Sequence, residues 1–156
     1  MTISRMTLGF AGPINIRSIV PADAPVWESM RRHLWPDGAD DHAPEIARFF
    51  AGTLQELSAV LVAETLDGDV VGFSELAIRL NVAGLEGVRT GYVEGLYVTP
   101  EARSQGVALA LLKASRSWAR HERCTAFASD RGDRIVIDRL FRNSLTATNQ
   151  PTSTKN

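Results

Sequence analysis

The chain has 156 residues, 44% of them hydrophobic and 22% charged, with a formal net charge of −1; it is long enough for one buried core and is not built to bind nucleic acid chiefly by charge. One cysteine, Cys124, excludes an internal disulfide. No apolar run approaches the roughly 20 residues of a membrane-spanning helix, and the first twelve residues hold too short an apolar stretch for a signal peptide, so a cytoplasmic protein with no membrane partner is expected.

Ile14 to Val20 alternates apolar and polar residues and predicts a first strand. Pro21-Ala22-Asp23 then reads as a helix start, with Asp23 as cap. Val26, Trp27, Met30 and Leu34 follow at helical spacing and stop before Pro36. After the acidic loop Asp37 to His42, a second helix from about Pro44 carries Ile46, Phe49, Phe50 and Leu54. Ala59–Glu64 and Val70–Arg79 predict two strands joined at Asp67-Gly68, a hairpin signal. A glycine-containing loop, Asn81 to Thr90, leads into a strand from Gly91 to Val98. A helix over Val107–His121, a short buried strand over Ala126–Ser129 and a last helix over 133–145 complete the elements, the last drawn from the spacing of Ile135, Ile137, Leu140, Phe141 and Leu145. The polar remainder, 146–156, has no periodicity and reads as a disordered tail. One domain, 1–145, is expected.

The segment from Tyr92 to Ala119 is the most informative. A β-rich stretch ends at Thr99-Pro100, and Arg103-Ser104-Gln105-Gly106-Val107-Ala108 precedes a run of good helix formers. A helix start presents unpaired N–H groups and a partial positive charge, which suits a phosphate or pyrophosphate where small residues leave room. Gly106 and Ala108 supply that room.

The pattern R-x-x-G-x-A after V-T-P resembles the acetyl-CoA loop of the GCN5-related N-acetyltransferases. Trp35-Pro36, Gly72–Arg79, Val93–Val98, Trp118-Ala119, Cys124 and Phe127–Asp130 follow in an order similar to that of the aminoglycoside 6′-N-acetyltransferases, over roughly residues 14–145. The resemblance implies an α/β (α+β) fold, a mixed and mostly antiparallel central sheet flanked by helices. It also implies direct transfer of acetyl from acetyl-CoA to the 6′-amine of aminoglycoside antibiotics. The backbone of Leu96, Tyr97 and Val98 would then pair with the pantetheine amides. N–H groups of Arg103, Ser104, Gln105, Gly106, Val107 and Ala108 would hold the pyrophosphate, with Arg103 reaching a phosphate oxygen.

Acyl transfer to an amine needs an acceptor for the amine proton, and a polycationic substrate needs carboxylates. Three acids fall where adjacent strands open: Glu75, Glu94 and Asp130. By the resemblance, Glu94 and Asp130 contact the antibiotic and Glu94 is the first choice of base, through water, while Trp35 flanks the substrate. Each has a plainer alternative: solvation for Glu94 and Glu75, capping of a following helix for Asp130, and the core for Trp35. The acidic loop offers a further wall. His33, His42 and His121 have no ligand-spaced partners, so no metal is expected, and Cys124 reads as a buried small residue rather than a nucleophile.

The end of the chain departs from the family. Where relatives carry Asn, Ser and His on the last helix, this chain has Ile135, Asp138 and Arg142; no stretch reads as the closing strand, and Leu80-Asn81-Val82 replaces an expected tyrosine. An uncovered sheet edge is expected, and with it a homodimer. Two other functions stay open: acetylation of another polyamine or protein amine, and a catalytically impaired acyl-CoA- or aminoglycoside-binding protein.

Overall fold

The computed structural model describes residues 13–140, save the side chains of residues 39–41. Six strands form one sheet in chain order: β1 (Asn15–Ser18), β2 (Ala59–Glu64), β3 (Val70–Arg79), β4 (Thr90–Val98), β5 (Ala126–Arg131) and β6 (Arg134–Arg139). All neighbours run antiparallel except β4 and β5, which are parallel. A parallel pair needs a crossover, and helix α3 (Val107–His121) supplies it. Helices α1 (Ala24–Leu34) and α2 (His42–Ala51) cover the other face.

Side-chain alternation in β3 and β4 sorts the two layers. Leu76, Val93 and Val98 face α3, where they meet Val107, Leu111 and Ala119. Phe73 and Tyr97 face α1 and α2, where Trp27 is fully buried with Met30 and Ile46. Phe49 and Phe50 of α2 meet the Trp27 ring edge to face. Helix α3 sits so close that a Cβ on Gly91 would lie 2.6 Å from the Ala119 Cβ.

Several local details differ from the sequence reading. Asp23 does not cap α1; its carboxylate accepts from the Val20 N–H at 2.8 Å and from Arg17 at 2.8 and 3.1 Å. The Arg17 hydrogen bond holds the Asp23 carboxyl below the usual carboxylate range. The loop of residues 80–89 is not merely a connection, since Val82 and Leu85 are buried against Tyr92, Ala126 and Ala128.

The largest correction concerns the end of the described chain. No helix forms over 134–139; β6 pairs antiparallel with β5 from Arg131↔Arg134 to Ala126↔Arg139. Gly132 opens the two-residue hairpin loop at φ +71°, a conformation glycine adopts without penalty. The run Ile135-Val136-Ile137 is β-branched throughout, which favours the pleated strand over the helix that the wider apolar spacing suggested. A strand is therefore present where no closing strand was legible, and among the described residues it forms the sheet edge. The expected tail, 146–156, lies outside the described residues, as does the end of the expected helix. No helix among the described residues is long and apolar enough to cross a membrane.

The packing of α3 on β4 yields a stability prediction. Gly91→Ala places a methyl group against Ala119, where neither side has a flexible end to swing away. It should cost about 1–3 kcal/mol, the usual range for overpacking, read as a lower urea midpoint with an unchanged slope.

Candidate active site

The ladder between β3 and β4 skips one residue. Glu75 pairs with Gly95 and Leu76 with Val93, so Glu94 is an extra residue in β4. Such a bulge twists the strand and resets the alternation: Tyr92 lies on one side of it and Gly95 and Tyr97 on the other, yet all three keep to the α1/α2 face. The β4–β5 ladder ends at the same level, with Val93↔Ser129 as its last pair. Beyond that point the strands part, and the β5-facing edge of Gly95–Val98 has no strand partner among the described residues.

The gap is a cleft of about 570 Å³ lined by Trp35, Glu94, Gly95, Leu96, Ala108 and Asp130, among others. At one end stands α3. Its N-cap is Gly106 at φ +86°, and no side chain caps its first turn. The N–H groups of Val107, Ala108 and Leu109 thus lack side-chain partners at the positive end of the helix dipole. Ser104, at φ +64°, shapes the turn before it, and the turn opens to solvent at Gly106, where a Cβ would meet nothing within 4 Å.

A second cavity of about 260 Å³ adjoins the first, since Trp35 and Glu94 line both. Trp35 can sit there because residue 95 is glycine; a Cβ at that position would lie 2.6 Å from the indole. This cavity sets Arg31 against Glu45, Glu56, Glu75 and Glu94, so it carries net negative charge. Arg31 is nearly inaccessible and donates to both oxygens of Glu75 at 2.7 and 3.1 Å and to Glu45 at 2.8 Å. Burial pulls the guanidinium's pKa down, but the hydrogen bonds and charges of Glu75 and Glu45 outweigh it and the net shift is upward. His42 completes the cluster. Its Nδ1 lies 3.2 Å from the Arg31 guanidinium, which only donates, so the other nitrogen carries the proton toward the Trp35 carbonyl at 3.3 Å.

The placement of the expected residues is uneven. Trp35, Glu94, Leu96, Ala108 and Asp130 meet in the large cleft. Glu75 lines the smaller cavity but is 1% exposed, and its oxygens are taken by Arg31 and the Trp27 indole N–H at 2.9 Å; it holds the floor rather than offering a free carboxylate. Arg103 turns back, donating from Nε to the Val98 carbonyl at 2.8 Å with its guanidinium 5.4 Å from the centre of the Tyr97 ring. Tyr97, Val98 and Val107 bury their side chains, and with the Val98 carbonyl taken by Arg103 a ligand can reach only the backbone groups that remain.

Sequence reasoning missed four polar neighbours. Glu45 and Glu56 add acid to the smaller cavity. Arg79 grips Glu94 through two bonds of 2.8 and 2.7 Å, and the hydrogen bonds to that carboxylate raise the guanidinium's pKa above its ordinary value. Tyr92 donates its hydroxyl to Asp130 at 2.7 Å; desolvation first, and then Asp130, push its pKa up to about 12. The same hydrophobic shielding acts at Cys124, whose buried thiol is pushed up.

Comparison with known proteins agrees with this geometry. Residues 27–136 match the acetyltransferase (GNAT) family. The chain is 45% identical over 116 residues to an aminoglycoside N(6′)-acetyltransferase type 1 of Klebsiella aerogenes, an alignment covering 74% of this chain and 76% of the relative. It is 41% identical to the enzyme of that name from Stenotrophomonas maltophilia, over 74% and 73% of the two chains. Among solved structures, the 6′-N-acetyltransferase AAC(6′)-Ih of Acinetobacter baumannii superposes with a TM-score of 0.67 at 27% identity, covering 92% of this chain and 91% of its own. In sequence and in fold, the chain belongs to the GNAT acetyltransferases, among the aminoglycoside N(6′)-acetyltransferases of type 1.

Proposed function

We propose that this chain moves the acetyl group of acetyl-CoA directly onto the 6′-amine of aminoglycoside antibiotics, conferring resistance, and that it does so in the cytoplasm. The observation that carries the reading is the junction at Glu94. One carboxylate lines both a cleft with unpaired backbone along one wall and an acidic cavity suited to a polyammonium compound. The strand edge of Leu96–Val98, where Arg103 takes the Val98 carbonyl, and the uncapped start of α3 fit the amides and pyrophosphate of the thioester substrate. The acidic cavity fits the cationic sugar.

In this reading the neutral amine enters past Trp35 and its nitrogen attacks the thioester carbon. The carbon–sulfur bond breaks, the amine proton passes through water to Glu94, and the departing thiolate takes a proton from solvent. Holding the two reactants in one junction supplies most of the rate. Asp130 anchors a second ammonium, while Glu45 and Glu56 draw the remaining charges. Located by mass spectrometry and NMR, the new amide on kanamycin should lie at the 6′ position. An amide on another ring, or turnover of spermidine alone, would transfer the function to a different amine.

Two variants separate the halves of the site. Glu94→Gln keeps the shape and removes the proton acceptor. Turnover should fall roughly 10²-fold, at the low end of general-base contributions, with acetyl-CoA affinity unchanged. At the turn, any L-residue replacing Gly106 would strain its backbone, so Ala108 is the cleaner probe. It is exposed in the first turn of α3, where Glu favours the helix but repels a phosphate. Ala108→Glu should leave melting unchanged and weaken acetyl-CoA binding at least tenfold by calorimetry.

The homodimer belongs to the same reading. Edge strand β6 exposes Ile135, Val136 and Ile137 by 37–39%. Read antiparallel against itself about Val136, Arg134-Ile-Val-Ile-Asp138 is self-complementary: Arg134 faces Asp138 of a second copy, and Ile135 faces Ile137. Light scattering should give about twice the 17.0 kDa chain mass, and Val136→Lys, which sets like charges opposite each other, should give monomers.

A further inference from the structure

Arg79 lies in a slot whose chemistry is that of an ammonium site. Its guanidinium takes both oxygens of Glu94, at 2.8 and 2.7 Å, and its central carbon stands 3.9 Å from the centroid of the Tyr92 ring. The hydroxyl of that ring is tied at 2.7 Å to Asp130. A carboxylate fork, an aromatic face and a second carboxylate behind the ring are the elements that capture organic cations. Three strands assemble them on the α1/α2 face: Arg79 from β3, Tyr92 and Glu94 from β4, and Asp130 from β5. The slot is filled by the chain's own side chain, which is about 40% exposed and is not fixed by the core.

A polyammonium substrate carries several charges that could seat in such a slot, and only one amine is productive. An ammonium lodged between Glu94 and Tyr92 would sit where Arg79 now sits, outside the cleft that Leu96 and Ala108 line. We propose that Arg79 is a specificity-determining plug: it fills this cation slot so that substrate ammonium groups are refused there and the reacting amine meets Glu94 from the cleft side. The inference rests on Glu94 serving the transfer, but the slot itself is defined by geometry alone.

Removing the plug should produce a particular signature. With Arg79→Gln, kanamycin should seat unproductively and more tightly. Its Kd by calorimetry should fall about tenfold, the effect of one removed cation at a partly exposed site. KM and kcat for kanamycin should fall by similar factors, leaving kcat/KM within about twofold, because unproductive complexes lower both together. Acetyl-CoA affinity should stay put. Arg79→Lys, which keeps a cation in the slot, should stay within about threefold of the unaltered protein in kanamycin Kd.

Calorimetry with spermine serves as a second polycation and needs no turnover. Tighter binding of spermine to the Gln variant supports the plug even if the unaltered protein acetylates no aminoglycoside, which keeps the two readings separable. Unchanged or weaker binding of both polycations to the Gln variant, with acetyl-CoA affinity intact, overturns it. If the Gln variant loses acetyl-CoA affinity as well, the Lys variant decides: kanamycin affinity kept near that of the unaltered protein supports the plug, and a tenfold change in either direction overturns it.

Discussion

The site depends on one extra residue in β4. The bulge at Glu94 breaks the β3–β4 register between Glu75 and Leu76, and the parallel ladder to β5 ends one residue earlier at Val93. With no bulge, strict alternation would carry Gly95 and Tyr97 to the α3 face, and Trp35 would lose the bare backbone on which it rests. Without the parting of β4 and β5, the backbone groups of Gly95–Val98 would be consumed by the sheet. The same disturbance thus exposes a strand edge, turns a carboxylate into the opening and makes room for the indole that divides the two cavities.

The polar interior around that point is tightly matched. Arg31 serves two glutamates, and Glu75 serves both Arg31 and the Trp27 indole. A buried ion pair is weak support for stability on its own, because desolvation offsets its attraction. Its consequence here is geometric. It locks α1 to β3 through Trp27 and Arg31, and α1 stops at Leu34 with Trp35 as its C-cap because Pro36 follows. The acids left for a ligand are then Glu45, Glu56, Glu94 and Asp130, each with a different degree of prior engagement.

Much of the fold was legible because its strands carry their own signals. Ala59–Glu64, Val70–Arg79 and Val107–His121 have the expected bounds, since Asp67-Gly68 forces a turn and the Gly106 junction forces a helix start. The stretch after Asp130 was not legible. Ile135, Ile137, Leu140 and Leu145 satisfy a helical period, and the tight loop at Gly132-Asp133 outweighed it. In the site, Trp35, Glu94, Leu96, Ala108 and Asp130 converge because their motifs sit at the ends of adjoining strands and helices. Glu75 had the right strand but the wrong depth: nothing local reveals that Arg31 and Trp27, 44 and 48 positions away, claim its oxygens. Arg79 escaped notice for a related reason. Its partnership with Glu94 spans 15 positions and follows only from a register that contains the bulge.

Whether the parted edge of β4 and the start of α3 together hold the thioester is read out by amide hydrogen exchange with and without CoA. Exchange should slow at Leu96 and Val98 and along Val107–Leu109 when CoA is added, because those N–H groups gain partners, while β2 exchanges as before. Saturating CoA that left both segments unchanged and protected residues elsewhere would contradict the account.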